Sequence, residues 1–427
     1  MTRRPAVRAP RTAWFMLMVL TSAFALSQSF RTVAAIMATP LQKDFGLSAQ
    51  ALGLFAGAFH FAFGALQLFM GIGIDVHGIR RTVLLAFPLA IAGAIVSATA
   101  QHVAVLMLGQ VLIGAGCAPA FLACTVFIAR HFPPERFAAI SGLTLGIGSI
   151  GMLLTGTPLA WVIQHSSWRV GFLALAAGSV LAWLAILWAV HEPVAPSPSS
   201  TPAPSPAAKL SLLTALRSYG VLFRLPHTLG IIALASVTYA SFISLRGLWL
   251  GPLLIERHGF TRVQSGNIAL VVSLIGMFGP ALFGRLDPGP VRRRRWITGC
   301  TLVMAAVFAA MAVNPGSAFD VVASIAVGVI SGFIVLQYAD VKSAYPVSMT
   351  GRAMSVLTMA MFLGVAVMQW LTGAVASAAT AHGLDPFLAV LATIAALLLL
   401  GALAFRVLPK PAFDLPARSV RSEPKRA

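Results

Sequence analysis

Twelve stretches of this sequence run for roughly 20 residues each with hardly a charge to interrupt them. They lie near 14–38, 49–73, 82–101, 103–128, 138–164, 168–191, 228–253, 264–284, 296–313, 319–340, 353–377 and 386–407. A helix of that length matches the hydrocarbon thickness of a bilayer. Lipid offers backbone polar groups nothing to bond, so each run must pair its own N–H and C=O groups as a helix. Only 10% of the 427 residues are charged, against about 25% in soluble globular proteins. The exterior is therefore read as facing lipid. The fold class expected is an all-α membrane protein of twelve transmembrane helices. The first run follows a basic start and contains an "AFA" site, as a cleavable leader would. Cleavage would leave eleven spans and invert the charge bias of everything downstream, so that run is read as a retained span.

The net charge of +19 raises the question of nucleic acid, and its placement answers it. Twenty-four of the thirty Lys and Arg fall within residues 3–11, 80–81, 130–136, 209–224, 285–295, 342–352 and 406–426, all on the side that carries both termini. The opposite side holds Lys43, Arg169, Arg257 and Arg262, and only Arg31 and Arg246 lie inside the runs. Basic residues spread over the loops of one side are topology signals rather than a binding patch. They place both termini in the cytoplasm and the chain, as a multi-pass protein, in the cell inner (plasma) membrane, with no nucleic-acid partner. Cys117, Cys124 and Cys300 all sit in the runs and read as small core residues, not as a disulfide framework or metal site.

Between the sixth and seventh runs lies "EPVAPSPSSTPAPSPAAK", residues 192–209, with the composition of a stiff, solvated tether. It divides the chain into a six-helix bundle at 1–191, a linker at 192–226, a second six-helix bundle at 227–408 and a basic tail at 409–427. The halves repeat. "FGLSAQALG" at Phe45 recurs as "HGFTRVQSG" at His258, 213 positions on, with Ser48 and Thr261 placed to cap the following helix. Phe132-Pro133 recurs as Tyr345-Pro346 at the same shift, and Asp75 as Asp287 at 212. Two pseudo-symmetric six-helix bundles in parallel repeat are an architecture of secondary transporters, whose substrate site lies at mid-membrane between the halves.

The stretch "GIGIDVHGIRR" carries Gly71, Asp75, Gly78, Arg80 and Arg81 after the second run. It resembles the signature loop of the major facilitator superfamily, with valine where the family has an arginine after the aspartate and Gly73 where it has leucine. "SSWRVGF" at Ser166 is a second family-like feature. The resemblance covers nearly the whole chain. It implies a gate at which Asp75, with Asp287 as its counterpart in the second half, faces a neighbouring helix N-terminus. The glycines there are expected to let helices two and eleven approach closely.

Arginine deep in a membrane is costly and marks a functional site by default. Arg31 and Arg246 occupy similar depths in the two halves and are expected to face one another across a central cavity. Forked hydrogen bonds to a carboxylate or phosphate would neutralise them. The pair also resembles the organic-anion and organic-phosphate branch of the family. That branch's phosphate users carry a lysine in helix two where Gln67 stands here, which favours a carboxylate or a larger mixed ligand. Further candidate lining residues are the polar Gln28, His60, Gln67, Asn267 and Gln337 and the aromatic Tyr239, Trp249 and Trp370. Polar side chains in spans also serve simply as glue between helices.

These residues favour a secondary transporter of a small organic solute, an organic anion first, working by alternating access. A vitamin-like compound such as riboflavin, or a siderophore, and multidrug efflux remain alternatives, with a transporter-like sensor as the reading from another class. Gln110 stands where many proton-coupled exporters have arginine, which lowers the efflux reading. No nucleophile–base pair, metal constellation or phosphate loop occurs in the spans, so no enzyme, cofactor or metal is expected. The partners expected are the substrate and the lipid bilayer, with a proton or a counter-transported anion as the open choice of coupling partner, and the chain is expected to be a monomer.

Overall fold

The computed structural model describes residues 11–133, 137–191, 219–313, 316–345 and 347–409, with residues 75, 137–139, 347, 348, 350 and 351 described by backbone alone. Among the described residues twelve helices are long and apolar enough to cross a membrane. In the first half these are α1 (Arg11–Phe45), α2 (Ala49–Ile74), α3 (Ile79–Thr99), α4 (Val103–His131), α5 (Ile140–His165) and α6 (Trp168–Ala189). In the second they are α7 (Pro226–Arg257), α8 (Arg262–Arg285), α9 (Pro290–Val313), α10 (Ser317–Ala344), α11 (Arg352–Ala381) and α12 (Pro386–Val407). The tether and the basic tail fall largely outside the described residues.

Each half is a bundle. In the first, α3 packs on α4 and α6, α2 on α4, and α1 on α5 and α6; in the second, α7 packs on α11 and α12, α9 on α12, and α8 on α10. The repeat is visible in local detail. Ser48 accepts a hydrogen bond from the Ala51 N–H (3.2 Å) at the start of α2, and Thr261 accepts one from the Gln264 N–H (3.2 Å) at the start of α8. The interruptions of two spans also correspond. α4 breaks at Ala118–Pro119, and α10 tightens into a 3₁₀ turn at Ser331–Phe333, 213 residues on.

A second correspondence has its charges exchanged. At the end of α1, Asp44 takes a hydrogen bond from the Trp168 indole (2.7 Å) and lies 3.4 Å from Arg169, both at the start of α6. At the end of α7, Arg257 stands 213 positions later and lies 3.3 Å from Asp385, which caps α12. The same helix ends are tied by the same kind of contact with the signs reversed. The "SSWRVGF" stretch is thus a clasp between the first and last helices of its half.

The halves meet along three seams: α2 on α11, α5 on α8 and α1 on α7. Gly53, Gly57 and Gly64 of α2 leave no room for a side chain against Gln369, Ala366 and Phe362 of α11. Gly156 meets Gly266, and Gly247 and Gly251 lie on the backbone of Arg31 and Ala35. Apart from Gly64, just past the middle of α2 on the terminal side, these sit in the half of the bundle remote from the chain ends, called here the far end. Toward the terminal end, where α1 begins and α12 stops, α5 stands free. A side chain at Gly142 would meet nothing within 4 Å, and Leu143, Leu145 and Ile150 are exposed. The seams between the two bundles are closest toward the far end, and α5 stands free toward the terminal end.

Close packing should therefore be costly to disturb in one place and not in the other. A Cβ on Gly93 of α3 would stand 2.5 Å from the Gly109 carbonyl of α4. Gly93→Leu is expected to cost about 1–3 kcal/mol by overpacking, lowering the apparent melting temperature of the purified protein. Gly142→Leu should leave that temperature unchanged or slightly higher.

Candidate functional site

Arg31 sits about 30 Å along α1 from the terminal end, at the rise of a regular helix, and is buried, only 6% exposed. Its guanidinium carbon lies 4.6 Å from the ring centres of both Phe63 of α2 and Phe362 of α11. Those rings are themselves 4.3 Å apart, so one aromatic from each half flanks the charge. Arg31 Nη1 reaches the Tyr239 hydroxyl of α7 at 3.4 Å, and Nη2 reaches Ser27, one turn earlier on α1, at 3.5 Å. Its Nε has no partner. Among the described residues no carboxylate stands within ion-pair distance of it. Aromatic faces and hydroxyls ease a buried cation, but they do not neutralise it. The arrangement can bind an anion.

Other sequence candidates surround this charge. His60, one turn before Phe63, lies parallel to Phe362 at 6.2 Å; its Nδ1 bonds the Ala56 carbonyl (3.1 Å) and its buried Nε2 has no partner. Gln28, one turn below Arg31 on α1, is buried with its amide oxygen unpartnered. Tyr239 packs edge-on against Phe362 at 5.4 Å. Phe63 and Phe362 were not candidates from the sequence, because a phenylalanine in an apolar run carries no signal of its own.

Arg246 is elsewhere. It is fully buried, in a π-helical turn of α7 (Leu245–Trp249). Nε donates to Ser273 of α8 (2.8 Å), and Nη2 donates to the Met152 carbonyl (2.9 Å) and Thr155 (3.4 Å) of α5. It therefore stitches the α5–α8 seam. Nor do the two arginines face each other across a cavity. Gly247 packs directly on the Arg31 backbone, so α1 and α7 touch where the gap was expected.

Several other candidates also do structural work here. Trp249 donates to Thr372 of α11 (2.9 Å), inside the second half. Gln337 exchanges hydrogen bonds with Thr238, the shorter at 2.9 Å. Gln67 donates to the Ala118 carbonyl (3.1 Å), which the break in α4 leaves without a helical partner. Asn267 bonds Thr157 across the far-end seam. Trp370 is 43% exposed; it lies at the depth where the bundles are joined, so it faces the exterior.

The gate motif also reads differently in place. Gly71 would meet only Leu122 of α4, at 3.8 Å, and Gly73 meets Thr82; neither touches α11. The close approach of helices two and eleven is made instead by Gly53, Gly57 and Gly64. The helix of α2 continues to His77, where Gly78 caps it with φ +84° and bonds back to the Ile74 carbonyl (3.1 Å), a conformation that suits glycine. Arg80 donates to the Leu187 carbonyl at the end of α6 (2.8 Å), and Arg81 is exposed. The side chain of Asp75, on which the latch expectation rests, lies outside the described residues. Asp287 faces its own half: Arg293 grips both its oxygens (2.6–3.2 Å) and also donates to Ala339 and Ser343 of α10.

Two outcomes are expected. Arg246→Gln removes bonds that cross the seam, so it should lower the melting temperature and speed alkylation of a cysteine introduced by Ser377→Cys at the far end; unaltered labelling would remove the stitching role. The Arg293 guanidinium, aided by the Gly289 N–H, holds the Asp287 carboxyl below its ordinary range. A carboxylate depressed in this way adds stability above its unfolded value, near 4, and loses it as pH falls through the folded value. The difference in melting temperature between the wild type and Asp287→Asn should be full at neutral pH and shrink as pH drops below about 4.

Comparison with known proteins bears on the whole chain. A hexuronate transporter of Bacillus subtilis is 24% identical over 262 residues, 60% of this chain and 59% of its own length. An MFS-type efflux pump of Mycolicibacterium smegmatis is 27% identical over 314 residues, 70% of this chain and 68% of the pump. This chain thus spans about three-fifths of the first relative's length. A crystal structure of a bacterial homologue of the human lysosomal transporter Spinster, in an inward-facing and unoccupied conformation, shares the fold with TM-score 0.71. Its identity is 17%, over 94% of this chain and 96% of that one. With residues 19–368 matching the family itself, the chain belongs to the Major Facilitator Superfamily, a family of transporters and not of enzymes.

Proposed function

We propose that this chain carries a small monoanionic organic solute across the inner membrane by alternating access, with Arg31 as the group that binds the anion. The observation that carries the reading is the uncompensated Arg31 guanidinium, flanked by Phe63 of one half and Phe362 of the other. A carboxylate entering from the open end would supply the missing charge through forked hydrogen bonds. The rings favour an apolar or planar body beside it. Arg246 gives Nε and Nη2 to Ser273, Met152 and Thr155 and keeps only a buried Nη1 without a partner, so Arg31 between the two rings is the guanidinium that serves the site, which suits one negative charge better than the two of a phosphate ester. The relative named for hexuronate, a carboxylate, agrees with this class.

In the same reading the conformation is open to the cytoplasm. The terminal end carries most of the basic residues, which marks it as the inner side, and most of the closest contacts between the halves lie toward the other end. The units that move are the bundles at 1–191 and 227–408, tethered by 192–226. The transporter works as a monomer, with a proton or a second anion as its coupling partner.

A thermal-shift screen of organic acids against the purified protein tests the site, because a ligand raises apparent stability by mass action. A monocarboxylate should stabilise the wild type. Arg31→Gln should weaken that binding roughly 10–100-fold, the worth of hydrogen bonds to a charged group, while Arg31→Lys retains part of it. Equal stabilisation of wild type and Arg31→Gln by the same acid would refute the assignment.

A further inference from the structure

On the outside of the second bundle, remote from Arg31, a groove of about 410 Å³ runs between α8, α9 and α10. Phe283 of α8 and Ile330 of α10 form its walls, and α9 supplies Arg295, Trp296, Gly299 and Val303. Gly299 makes the hollow, since a side chain there would meet nothing within 4 Å. The groove begins at the terminal end, among the arginines of "VRRRR", and descends along α9 into the apolar zone.

Helix geometry sorts those four arginines into two kinds. Arg293 and Arg294 point into the protein. The first grips Asp287; the second lies 3.7 Å from Asp340 and 4.0 Å from the centre of the Phe405 ring. Arg292 and Arg295 point outward and are exposed, as is Arg285 at the end of α8. Among the described residues none of these three has a hydrogen-bond or ion-pair partner. Positions 292, 295, 296, 299 and 303 follow the spacing of three and four that keeps side chains on one helix face. Down a single stripe there are two free guanidiniums, then an indole of the kind that settles at a membrane interface, then a gap floored by glycine.

We propose that this groove is a binding site for one anionic phospholipid of the terminal-side leaflet. Its phosphate pairs with Arg292 and Arg295, its glycerol region lies beside Trp296, and one acyl chain lies over Gly299 between Phe283 and Ile330. The charge fits: basic pockets between helices on the cytoplasmic side select anionic headgroups. The setting fits as well, because a hollow on a lipid-facing surface is filled by an acyl chain and not by water. A chain lying from Arg295 to Val303 covers roughly 12 Å of helix axis, within the reach of one leaflet.

The test uses the full chain purified in detergent, with phosphatidylglycerol and phosphatidylcholine of identical acyl chains. Native mass spectrometry should show phosphatidylglycerol retained in preference to phosphatidylcholine. The double variant Arg292→Gln/Arg295→Gln should lose about tenfold in affinity, and Gly299→Leu, which fills the groove without touching charge, should also lower retention. Phosphatidylglycerol with brominated chains should quench part of the tryptophan fluorescence, and that part should vanish in Trp296→Phe. Equal retention of the two lipids, or an unchanged quench in Trp296→Phe, overturns the proposal. So does full retention by the arginine pair variant or by Gly299→Leu. The substituted positions are exposed; should either variant still fail to fold, wild-type lipid selectivity and the Trp296 quench decide alone.

Discussion

The structure depends on helices approaching until their backbones touch. In lipid there is no hydrophobic force to press helix on helix, so association rests on van der Waals contact and on hydrogen bonds made away from water. Gly53, Gly57 and Gly64 bring α2 onto α11, Gly247 and Gly251 bring α7 onto α1, and Gly156 brings α5 onto α8. Arg246 adds polar stitching to the last of these, through Ser273 on one side and Met152 on the other. The three seams are closest toward one end, and Arg31 lies buried where α1 meets α2, α7 and α11. The position of the site follows from the position of the glycines.

Much of this was legible in the chain. Spans were readable because bilayer thickness fixes helix length, and the duplication because Ser48 and Thr261 must cap corresponding helices. The division of labour between the two buried arginines was not, although the register held the clue. At the 213-residue shift the counterpart of Arg31 is Ser244, and Arg246 lies two residues further along. Two residues turn a side chain by about 200° on a helix, so similar depth did not mean similar direction. The tight α2–α11 contact was expected at Gly71 and occurs at Gly53 and Gly57, which stand in a GxxxG spacing. That spacing is a known mark of close helix pairs and was the better signal.

The repeat preserves contacts more faithfully than residues. Asp44 with Arg169 and Arg257 with Asp385 tie the first helix of a half to its last with opposite polarity. Either order draws the helix ends together, so an exchange of charge between the halves leaves the geometry intact. Exposed pairs of this kind contribute about 0–1 kcal/mol. The second half goes further by burying Asp320 against Arg257 and His258. Removing one partner there would strand a charge, which is far more costly than losing a surface pair.

If Arg31 binds the anion, the same charge explains why an empty site is costly. The guanidinium is already buried among Phe63, Phe362 and two hydroxyl groups, and no carboxylate among the described residues stands within ion-pair distance. Sealing an unpaired ion in that way carries a penalty of several kcal/mol even after relaxation, on the order of what folding as a whole provides. A bound carboxylate would remove most of it, so an occupied site would be more stable than an empty one. His60, with an unpartnered ring nitrogen beside the same phenylalanine, would not relieve it by gaining a proton, because a second positive charge would deepen the penalty.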